Sequence, residues 1–274
     1  MTIFQAITLG VIQGLTEFIP VSSTAHLLIG QELLRIPSSH EIFAFLVIIQ
    51  TGTILSLVIY FRSDLWKILR AFTSHIKDFK QIRSIPFEAQ LGWYIILATI
   101  PALIAGYLLR DALEELFSKP FLGASIRLLA AAVIMVLGEL LGKHSRKLDS
   151  LNWKDGLFVG LMQVIAVFPG ASRSGTTISA GLLRNLDRSS AARFAFLISV
   201  PVMLAAGGYE ILQLIGLEGI SSYIPSLIIG FLTSAIVGWF AVRWLIGYLS
   251  KHSLYPFALY CLIIGLGCFA WSII

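Results

Sequence analysis

The sequence predicts an all-α polytopic membrane protein, with six transmembrane helices and two re-entrant helical hairpins arranged as an inverted-topology repeat. Three observations point there. Of the 274 residues, 57% are hydrophobic and only 13% charged, with a mean hydropathy of +0.86; a soluble domain carries about 25% charged residues. Six apolar stretches are long enough to cross a bilayer, and two more are interrupted by matching Pro-containing motifs. Disorder, coiled coil, collagen and a nucleic-acid-binding domain are excluded by the same composition. The net charge of +5 and pI near 9.3 are therefore loop charges that set topology.

The elements follow in order. The stretch 2–34 is apolar but broken at Phe18-Ile19-Pro20-Val21-Ser22-Ser23, and neither half has the ~20 residues needed to span. A helix–loop–helix hairpin that enters and leaves on one side is expected, because non-helical backbone at that depth needs protein or a wet cavity around it. Spans are expected at 41–61, 92–110 and 122–142, followed by a basic loop, 143–154, holding Lys143, Arg146, Lys147 and Lys154. The stretch 155–185 is again apolar and broken, at Phe168-Pro169-Gly170-Ala171-Ser172-Arg173-Ser174-Gly175. Spans at 190–214, 223–246 and 255–274 complete the chain.

The halves match in detail. Gly10-Val11-Ile12-Gln13 pairs with Gly160-Leu161-Met162-Gln163, and Phe43-Ala44-Phe45-Leu46 with Phe194-Ala195-Phe196-Leu197. Two repeats result, 1–142 and 155–274. Three spans per repeat is an odd number, so the second repeat lies inverted relative to the first. The basic loops 62–91 and 143–154 are expected in the cytoplasm, and 215–222, without Lys or Arg, outside. Arg184, Arg188 and Arg193 place the mouth of the second hairpin on the cytoplasmic side; the first hairpin opens outward, and the two tips meet near the midplane. Cys261 and Cys268 stand seven residues apart, about 10 Å along a helix, too far for a disulfide. No cleavable signal peptide is expected.

Polar groups at membrane depth are costly and mark function by default. They gather at the two tips. Gln13 and Glu17, at i and i+4, share a helix face; Ser22, Ser23, Thr24 and His26 follow. In the second tip Ser172, Arg173, Ser174, Thr176 and Thr177 surround Gly170 and Gly175. That tip has the make-up of an anion cradle: glycines admit close approach, half-helix N–H groups point outward, hydroxyls donate, and Arg173 can grip phosphate bidentately. Glu17 is also the natural partner of Arg173. Glu139 and Glu210 sit near span ends, where interface solvation suffices. No His/Cys metal spacing, P-loop or GxSxG elbow occurs.

The run Gln13-Gly14-Leu15-Thr16-Glu17-Phe18-Ile19-Pro20-Val21-Ser22-Ser23-Thr24-Ala25-His26 resembles the (E/Q)xxxE plus PVSSTxH signature of the bacterial undecaprenyl-diphosphate phosphatases, the BacA/UppP family linked to bacitracin resistance. Pro169-Gly170-Ala171-Ser172-Arg173-Ser174-Gly175-Thr176-Thr177 resembles that family's second signature, PGxSRSxxT. Where many members carry Glu, this chain has Gln13, which leaves Glu17 as the only carboxylate of the motif. The resemblance implies a multi-pass protein of the bacterial plasma (inner) membrane. It implies a polyprenyl diphosphate lipid as substrate, hydrolysed to the monophosphate carrier of cell-wall synthesis, and dependence on a divalent cation (Mg2+ or Ca2+) that Gln13 and Glu17 would hold. Catalytic roles fall to Glu17, Ser23, His26 and Arg173. Substrate binding falls to Ser22, Thr24, Gly170, Ser172, Ser174, Thr176 and Thr177. The outward mouth of the first hairpin puts the active site on the external, periplasmic side. Ser23 is the first choice of nucleophile, with Glu17 or His26 as its base; His26 or an activated water as nucleophile stays open, as does a homodimer. No nucleic acid is expected as a partner. A competing class is a lipid-phosphate flippase or anion transporter, built on the same inverted repeat but with no need of the Ser22-Ser23, Glu17 and His26 cluster.

Overall fold

The computed structural model describes residues 1–274 except 38, 83, 109–119, 168–171, 215–222 and 274. The described residues form α-helices and two 3-10 helices (Ile76–Gln81 and Leu148–Ser150), with no strand among them beyond an isolated Arg146–Leu186 bridge. The helices are α1 (Ile3–Phe18), α2 (Ser23–Leu33), α3 (His40–Tyr60), α4 (Arg62–Ser74), α5 (Phe87–Leu108), α6 (Pro120–Leu141), α7 (Trp153–Val167), α8 (Arg173–Leu183), α9 (Arg188–Leu214), α10 (Ile224–Leu249) and α11 (Tyr255–Ser272). Six of them, α3, α5, α6, α9, α10 and α11, are long and apolar enough to cross a membrane. They coincide with the six expected spans.

Local chemistry sets the ends that matter. α1 opens with a capping box: Thr2 Oγ1 accepts from the Gln5 N–H at 3.2 Å, and Gln5 Oε1 from the Thr2 N–H at 2.8 Å. It stops at Phe18 because Pro20 disfavours helical backbone at Ile19. α8 is capped by Ser172, whose hydroxyl accepts from the Gly175 N–H at 3.2 Å.

Small residues let the helices approach closely. A Cβ at Gly10 would lie 2.9 Å from the Gly230 carbonyl oxygen, and one at Gly14 2.9 Å from that of Ser234, so α1 rides directly on the α10 backbone. On the other side, a Cβ at Gly160 would lie 2.7 Å from Ala98, so α7 rides on α5 in the same way. α3 and α10 are joined by reciprocal serine bonds: Ser56 Oγ donates to the Ala235 carbonyl at 2.6 Å and Ser234 Oγ to that of Ile49 at 2.6 Å. Such contacts associate helices where lipid offers no hydrophobic drive.

Two features depart from the sequence reading. The 62–91 segment is not all loop, because α4 is an amphipathic helix whose Ile68 is buried and whose Phe72 packs on Trp93 and over Gly92 of α5. Leu65, Ile68, Leu69 and Phe72 recur at helical spacing and carry that signal. α5 accordingly starts at Phe87, five residues before the apolar stretch. Glu139 is also not solvated at an interface. It is buried, receives Arg188 bidentately at 2.7 to 3.1 Å, and accepts from the Leu254 N–H at 2.7 Å.

Glu139 belongs to a set of ion pairs at one end of the bundle. Asp155, fully buried, takes Arg146 and Arg184, each at 2.7 Å, and Arg193 reaches Asp64 at 2.6 Å. The basic segments 143–155 and 184–193 are thereby tied to each other and to α4. Burial alone would raise the Asp155 pKa, but hydrogen bonds from Arg146 and Arg184 outweigh it and hold the carboxyl below its ordinary value.

A depressed carboxylate contributes stability above its unfolded pKa, near 3.8 here, and loses it as pH falls below that. Asp155→Asn is therefore expected to lower the thermal midpoint in detergent at neutral pH, by less than the ~3–5 kcal/mol of a fully buried pair because both arginines reach solvent. The gap to wild type should close as pH drops below 3.8; a gap that does not change with pH contradicts the assignment. Separately, Gly52→Val should destabilise the α3–α10 contact by about 1–3 kcal/mol, since even a Cβ there would lie 2.5 Å from the Phe231 carbonyl oxygen. An unchanged midpoint would show that the two helices separate freely.

Candidate active site

The break between α1 and α2 is a tight turn. The Val21 N–H donates to the Ile19 carbonyl at 2.7 Å, and Ser22 sits in the left-handed region at φ 68°. A non-glycine residue held there stores about 1–3 kcal/mol of strain and persists only where the surroundings enforce it. His26 is part of that enforcement. Its backbone N–H and its Nδ1 both meet the Ser22 carbonyl, at 3.2 and 3.0 Å. A carbonyl only accepts, so Nδ1 carries the proton, and Nε2 is left to the hydroxyl of Tyr260 at 2.8 Å. The two rings also stack.

The turn delivers Ser23 to Glu17. Ser23 Oγ donates to Glu17 Oε2 at 2.7 Å, and Gln13 Nε2 donates to the same oxygen at 2.9 Å. Arg173, the first residue of α8, binds the other oxygen, Oε1. The carboxylate is thus the hub of the site, with its side chain 5% exposed, and one charge-assisted bond joins the two tips across 156 positions. The tips also touch sterically, since Pro20 packs over Gly175. The Pro20 carbonyl meets the thiol of Cys261 on α11; both cysteines are buried and free.

The second tip contributes a buried hydroxyl-rich helix start. Ser172, Ser174, Thr176 and Thr177 are all buried. Ser172 and Ser174 bond each other at 3.2 Å, and Thr177 Oγ1 donates back to the Arg173 carbonyl at 2.8 Å. Thr176 Oγ1 has no hydrogen-bond partner among the described residues, which leaves a donor for a ligand. Gly170 lies outside the described residues. Thr24 is exposed, at the second residue of α2. The geometry therefore brings together Gln13, Glu17, Ser23 and Arg173, sets His26 beside them on the same turn, and leaves Thr24 exposed next to Ser23. Tyr260 was not anticipated: one tyrosine in an apolar span has the composition of an ordinary belt residue, and only the fold places it on His26.

A hydroxyl donating to a buried carboxylate is the arrangement that activates a nucleophile, and a guanidinium beside it stabilises anionic charge. For a divalent cation the donor set is narrow. No group of three or more His, Cys, Asp or Glu converges among the described residues. Mg2+ is commonly held by one or two carboxylates together with substrate phosphates, and a cation brought in that way would be held by Glu17 and Gln13 only in place of the bonds that Gln13 and Ser23 now make to Oε2.

Comparison with known proteins adds to this geometry. Residues 6–267 match the family described as bacitracin resistance protein BacA. The chain is 39% identical over 270 residues to an undecaprenyl-diphosphatase of Anaeromyxobacter dehalogenans, covering 97% of this chain and 90% of that one. It is 38% identical over 280 residues to one of Methanobrevibacter smithii, covering 100% and 99%, and 39% identical over 267 residues to one of Mycobacterium ulcerans, covering 97% and 95%.

The inter-tip pair makes its own prediction. Glu17→Gln and Arg173→Gln each strand one charge at depth and should each lower the thermal midpoint in detergent, whereas the double variant should recover part of the loss. Strictly additive losses would show that the two side chains do not couple.

Proposed function

The chain belongs to the BacA family, and on that premise we propose that it is an undecaprenyl-diphosphatase of the plasma (inner) membrane. It removes the terminal phosphate of the C55 isoprenoid diphosphate, yields undecaprenyl phosphate and inorganic phosphate, and returns the carrier to peptidoglycan synthesis. Restoring the carrier in this way is what confers bacitracin resistance. The observation that carries the chemistry is Ser23 Oγ, 2.7 Å from Glu17 Oε2, with Arg173 on the opposite oxygen.

In this reading Glu17 takes the Ser23 proton as Oγ bonds to the terminal phosphorus. The bridging P–O bond breaks, polyprenyl phosphate departs, and the proton follows it to solvent. Water then attacks the phosphoserine while Glu17 accepts a proton from it; the P–Oγ bond breaks, inorganic phosphate leaves, and Glu17 returns the proton to Ser23. Arg173 has further N–H donors beyond the one on Glu17, and these, with the Thr176 hydroxyl, bind non-bridging oxygens as charge builds. Ser22, Ser172, Ser174 and Thr177 shape the cradle. His26 acts on the substrate through Nε2, the nitrogen that Tyr260 now holds, and Nδ1 stays on the turn. A divalent cation, if held instead by Glu17 and the Gln13 amide oxygen, would supply charge neutralisation to the diphosphate, and the base for Ser23 would then be His26.

We further propose that α1–α2 and α7–α8 are re-entrant hairpins of an inverted repeat, 1–142 and 155–274, with the first hairpin and the site open to the external side. Three points support this. The first half-helix of each pair is too short to span, each packs through a matched glycine (Gly10, Gly160) on the second span of the other repeat, and the ion-paired basic segments lie at one end. The midplane meeting of two broken helices is also how transporters are built.

The test is phosphate release from a polyprenyl diphosphate by the detergent-purified protein, with and without EDTA. Wild type should release phosphate and lose activity in EDTA. Ser23→Ala should fall by far more than tenfold, and Arg173→Ala by about 10²–10³-fold. Activity in Ser23→Ala within tenfold of wild type would remove the covalent step. A folded wild type that releases nothing, yet moves lipid phosphate across vesicles, would favour the transport reading.

A further inference from the structure

α4 presents three faces rather than two. At about 100° per residue, Leu65, Ile68 and Phe72 share the side that packs on the bundle, where Ile68 is buried and Phe72 lies on Trp93. Next round the helix come Leu69 and Trp66, which are 54% and 67% exposed. The apolar surface thus continues past the docked side and stays uncovered. Beyond Trp66, in the same rotational sense, stand Arg70 and then Lys67, both exposed. Neither charged group makes an ion pair or hydrogen bond among the described residues. Arg62, the first residue of the helix, is a third exposed and unpaired cation.

The helix also lies at a defined level. α3 ends at Tyr60, immediately before it. Phe72 packs over Gly92, in the second turn of α5. Asp64 takes Arg193, in the second turn of α9, at 2.6 Å. One span therefore ends and two begin beside α4, and all three are long and apolar enough to cross a membrane. That is the level at which hydrocarbon gives way to headgroups. A helix there with an uncovered Trp–Leu strip beside a row of cations has the make-up of one that lies in the interface plane, apolar side in the acyl boundary and basic side among headgroups.

We propose that α4 is an interfacial helix that holds anionic phospholipid, with Trp66 and Leu69 in the acyl boundary and Arg70 and Lys67 on headgroup phosphates. Charge selects the occupant. The one acid of α4 is Asp64, which Arg193 already engages, so the exposed side offers positive charge alone. A zwitterionic lipid would cover the apolar strip equally well but would leave the cations without a net counter-charge.

The experiment reads lipid retention, so its outcome does not depend on the diphosphatase reading. The protein is purified into micelles holding equal amounts of phosphatidylglycerol and phosphatidylcholine, and retained lipids are counted by native mass spectrometry. Wild type should retain phosphatidylglycerol in preference. Lys67→Gln combined with Arg70→Gln should cut that preference about tenfold, whereas Lys67→Arg with Arg70→Lys, which keeps both charges, should preserve it. Lys143→Gln with Lys147→Gln removes the same charge from another exposed basic segment and should preserve it too. Equal losses in the two Gln pairs would reduce the effect to net charge and overturn the site, as would no loss from the α4 pair. Should the α4 pair not fold, Lys67→Gln alone decides by the same comparison. Insertion is read by quenching of tryptophan emission with brominated phosphatidylglycerol. Trp66→Phe should remove part of the quenched emission, and quenching that does not change would overturn the interfacial placement.

Discussion

A carboxylate and a guanidinium cannot each stand alone inside a bilayer-sized apolar bundle, and the pairing of Glu17 with Arg173 is what lets both broken segments exist. Desolvating either charge costs several kcal/mol, and the mutual attraction offsets this only when the remaining lone pairs are also satisfied. Here they are, by Gln13 and Ser23 on Oε2 and by Arg173 on Oε1. The arrangement demands that residues 156 positions apart arrive at one point. The glycines that let α1 lie on α10, and α7 on α5, bring the two half-helices deep enough to do so. The ion pairs around Asp155 and Glu139 hold the bases of α7 and α8 and the start of α9.

The constraint that stabilises the tips also prepares them for phosphoryl transfer. A serine hydroxyl fixed on a carboxylate, with a cation on the far oxygen, is pre-oriented before any substrate arrives, so little reorganisation is left for the reaction. The strained backbone at Ser22 belongs to this: it is held by the two contacts from His26, and His26 is held in turn by Tyr260. A chain of contacts thus runs from a membrane-spanning helix through a ring to the turn that carries Ser23.

The sequence by itself determined the number and placement of the spans. Bilayer thickness imposes a length that only apolar runs meet, and the six runs show it without help from packing. It also isolated the site residues, because polar side chains such as Glu17, Ser23 and Arg173 stand out against an apolar background. The amphipathic α4 was legible too, in the spacing of Leu65, Ile68 and Phe72.

Which partner each of these groups has was decided only by the tertiary structure. Ser23 had two bases within reach by sequence spacing; the fold gives it Glu17 and turns the nitrogens of His26 to Ser22 and Tyr260. Glu139, at a span end, is buried against Arg188. Spacing along a helix fixes which side chains share a face. It does not fix which other helix covers that face, and in a bundle held by close small-residue contacts that choice is made jointly by segments far apart in the chain.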